Sequence, residues 1–224
     1  MDKLEFLSRY RQDVHLISVS DVRSQLPAEW AEALDADDFS GRKQSVIGIW
    51  KKYCGKELSN TISYISDNLV DINLLSTSHG ISALYELKMM DGSIDYYEGL
   101  ICRKDYDKAF DKWNCLPKSL RNFYENVHNG FYYYASMNMG ILPIEQVFCL
   151  ADYDWGIIED LGLEIPFNMN TAYSFFGSGG GGYVVLDTSE PESENCTVWF
   201  ADDKPLYNKN FWDFVDEWIV IGFE

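Results

Sequence analysis

The sequence predicts an α+β protein in which a largely antiparallel β-sheet is flanked by helices. Short runs of β-branched and aromatic residues follow one another after residue 130, turn residues separate them at hairpin distances, and amphipathic segments precede and follow them. Since 46% of the 224 residues are hydrophobic, the chain can bury a sizeable core without help from disulfides.

The first hundred residues contain one clear helix and one clear hairpin. Residues 26–36 include an early proline that a first helical turn tolerates, and their apolar positions repeat at helical spacing. Residues 81–103 hold two apolar runs joined by Asp91-Gly92, a dipeptide typical of tight hairpin turns. Residues 45–53 and 58–75 mix both characters, so helix and strand both stay open there.

The second half is predicted as two helices, a series of strands and a closing helix. Residues 105–113 and 118–127 space their apolar side chains for one helix face, and Asn129-Gly130 ends the second helix. The closing segment 208–219 repeats its apolar residues at the same spacing. Five segments between these helices have strand character: 131–137, 141–150, 171–178, 182–188 and 196–202.

The net charge of −18 is concentrated in the second half of the chain. Residues 1–121 hold 19 acids and 16 bases, whereas residues 122–224 hold 17 acids and 2 bases. No Lys or Arg occurs from Asn122 to Asp203. A surface built from this stretch would repel nucleic acid and attract a basic protein. High negative charge also increases solubility, and composition alone leaves that simpler explanation open.

The hydropathy and the cysteines indicate the cellular context. No apolar stretch reaches the ~20 residues that span a bilayer, and the charged start of the sequence does not have the form of a signal peptide. Five scattered cysteines form no CxxC pair, which predicts reduced and mostly buried thiols. We therefore expect a cytoplasmic protein without a membrane segment.

No motif predicts a catalytic, cofactor or metal site. The glycine-rich run 177–182 lacks the Lys-Ser or Lys-Thr of a phosphate loop and leads into a strand, so a turn or bulge is expected. Among the dispersed His15, His79 and His128, the last is predicted at a helix end, where its charge suits the helix dipole. The acidic run 187–194 does not match a calcium loop. A glycosidase whose carboxylate pair forms only on folding stays a less favoured alternative.

Carboxylates and aromatic residues of the acidic half are the candidates for binding a protein partner. Tyr and Trp side chains among carboxylates suit a surface rich in Lys and Arg. Carboxylates can also take the place of the phosphates that a nucleic-acid-acting protein would hold. The candidate partner-binding residues are Asp152, Asp154, Trp155, Glu190, Glu192, Glu194, Asp202 and Asp203.

The order of several motifs resembles the signature of the SUKH superfamily (Smi/Knr-like). Leu116-Pro117 precedes the predicted helix that ends at Asn129-Gly130, and Leu142-Pro143-Ile144 follows Gly140. The later marks, in the same order as in the family, are IPFNMN at 165–170, the glycine-rich turn into YVVLD, a strand with Trp199 and the terminal segment NFWDFVDEWI. The resemblance covers about residues 106–224.

The resemblance implies a SUKH-like α+β domain at residues 106–224, with residues 1–105 as an N-terminal extension. It implies no shared catalytic residues, and many bacterial members neutralise a cognate polymorphic toxin, often a nuclease or deaminase. We therefore expect an immunity protein that occludes a basic, nucleic-acid-acting toxin. The alternative is a regulatory scaffold similar to the fungal cell-wall-synthesis regulators of the superfamily.

Overall fold

One antiparallel β-sheet runs through the protein and confirms the predicted α+β class. The computed structural model describes residues 3–224, and within them eleven strands follow the order β1-β2-β3-β4-β5-β6-β8-β9-β10-β11, with β7 paired to β8 beside this path. The strands are β1 (His15–Ile17), β2 (Leu69–Thr77), β3 (Gly80–Lys88), β4 (Ile94–Leu100), β5 (Phe131–Tyr133), β6 (Gly140–Ile141), β7 (Phe148–Cys149), β8 (Ala172–Gly177), β9 (Gly182–Asp187), β10 (Asn195–Phe200) and β11 (Leu206–Asn210).

Helices precede, interrupt and follow the strands. The predicted helices at 26–36, at 118–127 and in the closing segment are confirmed as α3, α7 and α9. The open stretch 45–53 lies in α4, and 58–75 divides between α5 and β2. The helices are α1 (Lys3–Leu7), α2 (Val19–Val22), α3 (Ala28–Leu34), α4 (Phe39–Cys54), α5 (Ser59–Asn68), α6 (Tyr106–Ala109), α7 (Lys118–Asn126), α8 (Gly156–Leu161) and α9 (Phe211–Ile221).

Glycine-containing turns close the two clearest hairpins. Gly92 has a φ of 86° between β3 and β4, which confirms the predicted hairpin. Gly179 and Gly181 also have positive φ values between β8 and β9, and the Ser178 hydroxyl accepts the amide hydrogen of Gly182 at 3.0 Å. The glycine-rich run is therefore the turn that the sequence predicts.

Three predicted elements are wrong in part. The strand expected at 131–137 ends at Tyr133, and a turn follows it. The helix expected at 105–113 ends at Ala109, because an extended Phe110 turns its ring onto Tyr173 and Phe175. The strand expected at 141–150 is broken by a 3-10 turn at Ile144–Gln146, since the preceding proline donates no hydrogen bond to a ladder. Tertiary packing thus ends the helix at 105–113, whereas a proline within the segment interrupts the strand at 141–150.

Residues on both sides of position 105 build the same sheet. Strand β4 pairs with β5, so that Tyr97 lies opposite Tyr133 and Glu98 opposite Tyr132. Helices α3, α4 and α5 from the first half and α7 and α9 from the second half cover one face of this sheet. The main core lies between these helices and the strands, and it includes Trp50 from α4 and Phe123 from α7.

Two groups of side chains cover parts of the opposite face of the sheet. Leu7 of α1 packs there on Leu84 and Tyr134. Farther along the sheet, residues 147–171, which we call the cover segment, pack on strands β8 to β10. Val184 belongs to the main core and its neighbour Val185 contacts the cover segment, as expected when successive side chains of a strand point to opposite faces.

Candidate protein-binding site

Aromatic packing holds the cover segment on the sheet. The Trp155 ring centre lies 5.4 Å from that of Trp199 and 5.7 Å from that of Tyr183. The Trp155 indole N–H donates a hydrogen bond to the Leu150 carbonyl at 2.7 Å. Phe167 packs near the other end of the segment, with its ring centre 6.5 Å from that of Trp199. Trp155, a predicted partner-binding residue, is thus half-buried and anchors the segment.

The middle of the cover segment leaves apolar side chains in solvent. Helix α8 has no buried residue, and it ends at Gly162, which takes the left-handed conformation with a φ of 59°. Tyr153 is 56% exposed and Leu161 is 43% exposed. Exposed aromatic and aliphatic side chains are often part of protein-binding surfaces.

The cover segment also carries exposed carboxylates. Within residues 3–224, none of the carboxylates on the exposed side of the cover segment forms an ion pair. These exposed carboxylates are those of Asp152, Asp154, Glu159, Asp160 and Glu164. Asp152 and Asp154 are predicted site residues, whereas the sequence argument did not select the other three.

A small groove follows where the cover segment meets β9 and β11. It has a volume of about 160 Å³, and Phe167 and Tyr207 line it together with Asp187 and Glu190. Partial burial alone would raise the pKa of Asp187, but hydrogen bonds that include the Ser189 amide outweigh burial and lower it. A general acid needs a raised pKa, so Asp187 is not suited to that role of a glycosidase. Its charge is instead available to a cationic partner.

Two of the predicted site residues are engaged inside the chain. The Glu192 carboxylate accepts hydrogen bonds from the Lys118 amide at 2.9 Å and from the Arg121 guanidinium at 2.6 Å. The Ser119 hydroxyl donates to the Glu194 carboxylate at 2.5 Å. Both carboxylates therefore fix the β9–β10 connection to the start of α7, where negative charge is favourable. The sequence did not indicate these contacts.

The last two predicted site residues lie at the other end of β10. Asp202 and Asp203 are exposed in the β10–β11 connection. Asp203 accepts a hydrogen bond from the Lys204 amide at 2.6 Å. Strand β10 has six residues, so about 20 Å separates its two ends at ~3.3 Å per residue. The structure consequently brings Asp152, Asp154 and Trp155 together on one segment but distributes the remaining candidates along the sheet.

The described residues contain few groups suited to catalysis. No cluster of three or more metal-ligating side chains occurs within residues 3–224. Over the same range, no helix combines the length and the apolar character needed to cross a bilayer. All five cysteines are free, as predicted, and burial raises the pKa of the Cys102 and Cys196 thiols to about 12. A thiol with so high a pKa is a poor nucleophile at neutral pH.

His128 does not have the charged helix-end role that the sequence predicts. It is fully buried, and burial lowers the pKa of its imidazole to about 3. Nε2 lies 2.6 Å from the Tyr85 hydroxyl, and Nδ1 faces the Leu100 carbonyl at 3.3 Å. The prediction is wrong because the chain folds β4 over the end of α7, and the imidazole is therefore a neutral member of the main core.

Comparison with known proteins places the chain in a family. The model of the SMI1/KNR4 family (SUKH-1) matches residues 103–217, about half of the chain. The protein belongs to this family. Proteins of the SUKH family are generally non-enzymatic and bind other proteins. No curated protein and no solved structure gave a match.

The signature residues of this SUKH-1 protein build its scaffold. Asn129 Oδ1 accepts the amide hydrogen of Ile144 at 3.0 Å, and Asn129 Nδ2 donates to Glu145 at 2.9 Å. Gly130 has a φ of 87°, and a Cβ atom there would lie 2.5 Å from the Pro143 nitrogen. These contacts lock the end of α7 to the Leu142-Pro143-Ile144 segment. The signature residues therefore stabilise the fold at this junction.

Proposed function

We propose that this SUKH-1 protein is an immunity protein that binds and neutralises a cognate bacterial toxin in the cytoplasm. The observation that carries the proposal is the set of exposed carboxylates on the cover segment, which have no basic partner within the described chain. A toxin that acts on nucleic acid uses Lys and Arg side chains to hold phosphates. Those side chains would supply the missing cations and be occluded by the complex.

Apolar side chains among the carboxylates give the contact its expected strength. Exposed charges mainly accelerate encounter, whereas aromatic and aliphatic side chains near the centre of an interface slow dissociation. Tyr153 and Leu161 lie exposed between the acidic residues of the cover segment. In the proposed complex they are the central anchors, and Asp152, Asp154 and Glu159 form the charged rim.

The remaining predicted residues have different roles in this proposal. Glu190 extends the acidic surface from the groove beside Phe167. Trp155 positions the cover segment, while Glu192 and Glu194 fix the neighbouring turn to α7. Asp202 and Asp203 form an outlying part of the acidic surface.

Residues 1–105 act, in our proposal, as an extension that folds as one unit with residues 106–224. The pairing of β4 with β5 supports this view, because the ladder continues across the boundary. The packing of α4 against α7 and of α5 against α9 supports it as well. The extension adds helices α3 to α5 to the layer that shields the main core.

Co-purification of the tagged protein from its native host at low salt, followed by mass spectrometry, tests the function. We expect a basic toxin domain as the dominant partner, and we expect the added SUKH-1 protein to abolish the activity of that domain. Recovery of only cell-wall or signalling proteins would favour the regulatory scaffold and overturn the proposal.

A pair of charge variants tests the surface. The variant Asp152→Lys/Asp154→Lys should lower the association rate with the toxin at least tenfold and reduce its dependence on salt. The matched control Asp37→Lys/Asp67→Lys makes the same change in net charge at exposed positions away from the cover segment. Equal effects of the two variants would mean that net charge, and not this surface, governs binding.

A further inference from the structure

Helix α4 carries a concentration of positive charge that contrasts with the rest of this acidic chain. Residues 39–56 contain five bases and no acid, in a protein whose net charge is −18. Arg42 forms an ion pair with Asp71, and Lys52 forms one with Glu29. Lys43 and Lys51 have no carboxylate within ion-pair distance among residues 3–224. Lys43 lies over the Phe39 ring, with its ammonium nitrogen 6.0 Å from the ring centre. Among residues 3–224, these two cations of one helix thus have no carboxylate partner.

These two lysines flank a groove along α4. The groove has a volume of about 560 Å³, and its wall on the α5 side includes Ser66. Lys43 and Lys51 are eight residues apart on the same face of α4, which separates them by about 12 Å along the helix axis. No acidic residue lines the groove, whose α4 side consists of Ser40, Lys43, Gln44, Ile47, Gly48 and Lys51.

A glycine in the middle of α4 keeps the groove open. Gly48 is exposed, and a Cβ atom placed on it would meet nothing within 4 Å. Glycine in a helix interior costs about 1 kcal/mol relative to alanine. No neighbouring atom of the chain requires this glycine, whereas an external segment that crosses the helix here would approach the backbone closely. The packing of the chain itself therefore does not account for the open position.

We propose that the α4 groove is a second docking site, which binds an acidic segment of a partner protein. Carboxylates about 12 Å apart on that segment would pair with Lys43 and Lys51. Such a distance corresponds to four residues of an extended segment or eight residues of a helix. The hydroxyls of the exposed Ser40 and the partly buried Ser66 add hydrogen-bond donors at the groove walls. This proposal is independent of the toxin-binding role of the cover segment.

The net charge of the protein does not prevent this binding at physiological salt. The Debye length is about 8 Å at 0.15 M ionic strength and about 30 Å at 0.01 M. An acidic segment in the groove therefore interacts mainly with the nearby lysines at 0.15 M and also with the distant carboxylates at 0.01 M. Affinity should consequently rise when salt increases from 0.01 M to 0.15 M and fall again at 1 M.

Titration of the full-length protein into a fluorescein-labelled peptide of ten glutamates, followed by anisotropy, tests the proposal. We expect saturable binding in 0.15 M salt. Lys43→Glu/Lys51→Glu should weaken it at least tenfold. Gly48→Leu should weaken it similarly without a change in charge, because the leucine fills the groove. Circular dichroism melts establish that each variant is folded, and Gly48→Ala should melt at a higher temperature than the wild type.

The matched control is Lys104→Glu/Lys108→Glu, which reverses two exposed lysines outside the groove. We expect it to change the affinity less than twofold. Absence of saturable binding, or an equal loss in both double variants, would overturn the proposal. Binding of a single-stranded DNA probe in preference to the peptide would overturn it in favour of a phosphate ligand. Concentration-dependent self-association that the Gly48→Leu variant abolishes would instead make a second copy of the chain the occupant.

Discussion

The Tyr85 hydroxyl lies 2.6 Å from Nε2 of His128 in the centre of the main core. The Trp50 indole donates a hydrogen bond to the same hydroxyl at 2.9 Å. The tyrosine hydroxyl therefore donates its own hydrogen bond to Nε2 of the imidazole. Nδ1 of His128 then donates to the Leu100 carbonyl. This chain of hydrogen bonds assigns the neutral tautomer with its proton on Nδ1 and satisfies each of the buried groups.

The neutral state of His128 predicts a loss of stability in acid. Its pKa in the folded protein is lowered to about 3, whereas the unfolded chain takes up a proton near the ordinary value of 6.5. The contribution of the neutral imidazole to the free energy of unfolding is therefore complete above pH 6.5. It is lost as the pH falls from 6.5 toward 3, by about 1.4 kcal/mol per pH unit. Urea unfolding between pH 7.5 and 5 should show this slope, and His128→Gln should lack it.

The exposed His79 supplies the control for that measurement. His79→Gln should retain the slope of the wild type, because it leaves the buried His128 unchanged. If His128→Gln does not fold, an NMR titration of the wild-type imidazoles answers the same question. A His128 resonance that titrates near pH 6.5 would contradict the burial argument.

Arg11 is expected to stabilise the buried carboxylate of Glu98. Burial raises the pKa of Glu98, and the Ser82 hydroxyl at 2.7 Å and the Arg11 guanidinium at 3.9 Å oppose the rise. Arg11→Gln removes the cation, so it should destabilise the protein by about 3 kcal/mol at pH 7. The penalty should shrink as the pH falls through the raised pKa, because a protonated Glu98 needs no counterion.

Denaturant unfolding at pH 7 and pH 5 distinguishes this effect from a simple loss of packing. Equal destabilisation at both values would show that Arg11 acts through contact area alone. Arg9→Gln is the matched control, since Arg9 forms an exposed ion pair with Glu5. Such a pair contributes about 0.5 kcal/mol, with little dependence on pH in this range.

Gly130→Ala should destabilise the protein by about 3 kcal/mol or more. The φ of 87° disfavours any residue with a Cβ atom, and the added methyl would lie 2.5 Å from the Pro143 nitrogen. Thermal unfolding followed by circular dichroism measures the change. Gly48→Ala places the same methyl on an exposed helix without a neighbour within 4 Å and should be stabilising. Similar melting temperatures for the two variants would contradict the steric argument.

Asp216→Ala should destabilise the protein by about 2 kcal/mol. The buried carboxylate of Asp216, on α9, accepts the amide hydrogens of Thr61 at 2.8 Å and Asn60 at 3.0 Å, at the start of α5. Asp216→Asn retains one acceptor oxygen and should therefore destabilise the protein less than Asp216→Ala. Asp213→Ala removes an exposed carboxylate of the same helix as a control. If Asp216→Ala destabilises the protein no more than Asp213→Ala does, water caps the start of α5 as well as the carboxylate does.

Local sequence patterns predicted those elements whose signals lie within the element itself. The β3–β4 hairpin has its turn at Asp91-Gly92, and α7 has its own apolar face and stop. Residues 105–113 show the same helical spacing as α7, yet Phe110 leaves the helix to pack on Tyr173 and Phe175. That contact joins residues more than sixty positions apart, and no local window contains it.

In the candidate site, too, features within a short stretch were predictable from the sequence, whereas contacts between distant residues were not. The stretch from Asn122 to Asp203 has no bases, and this led to the prediction of an acidic surface. The same stretch contains the exposed Glu159 and Asp160, which the argument from the sequence did not select. The ion pair of Glu192 was not predictable, because Arg121 lies 71 residues away and just before the base-free stretch. A charge count along the chain reveals how many carboxylates are present, whereas only the fold shows which of them already have partners.

The packing of α9 against α5 affects how the protein is made. Tyr64 of α5 stacks on Phe223 with ring centres 4.4 Å apart, and Asp216 caps the start of α5. While the ribosome is still synthesising the strands, α5 can pack on α4 but lacks both of these contacts. The start of α5 therefore acquires its carboxylate cap only after α9 has left the ribosome. A message truncated before α9 would yield a product destined for degradation.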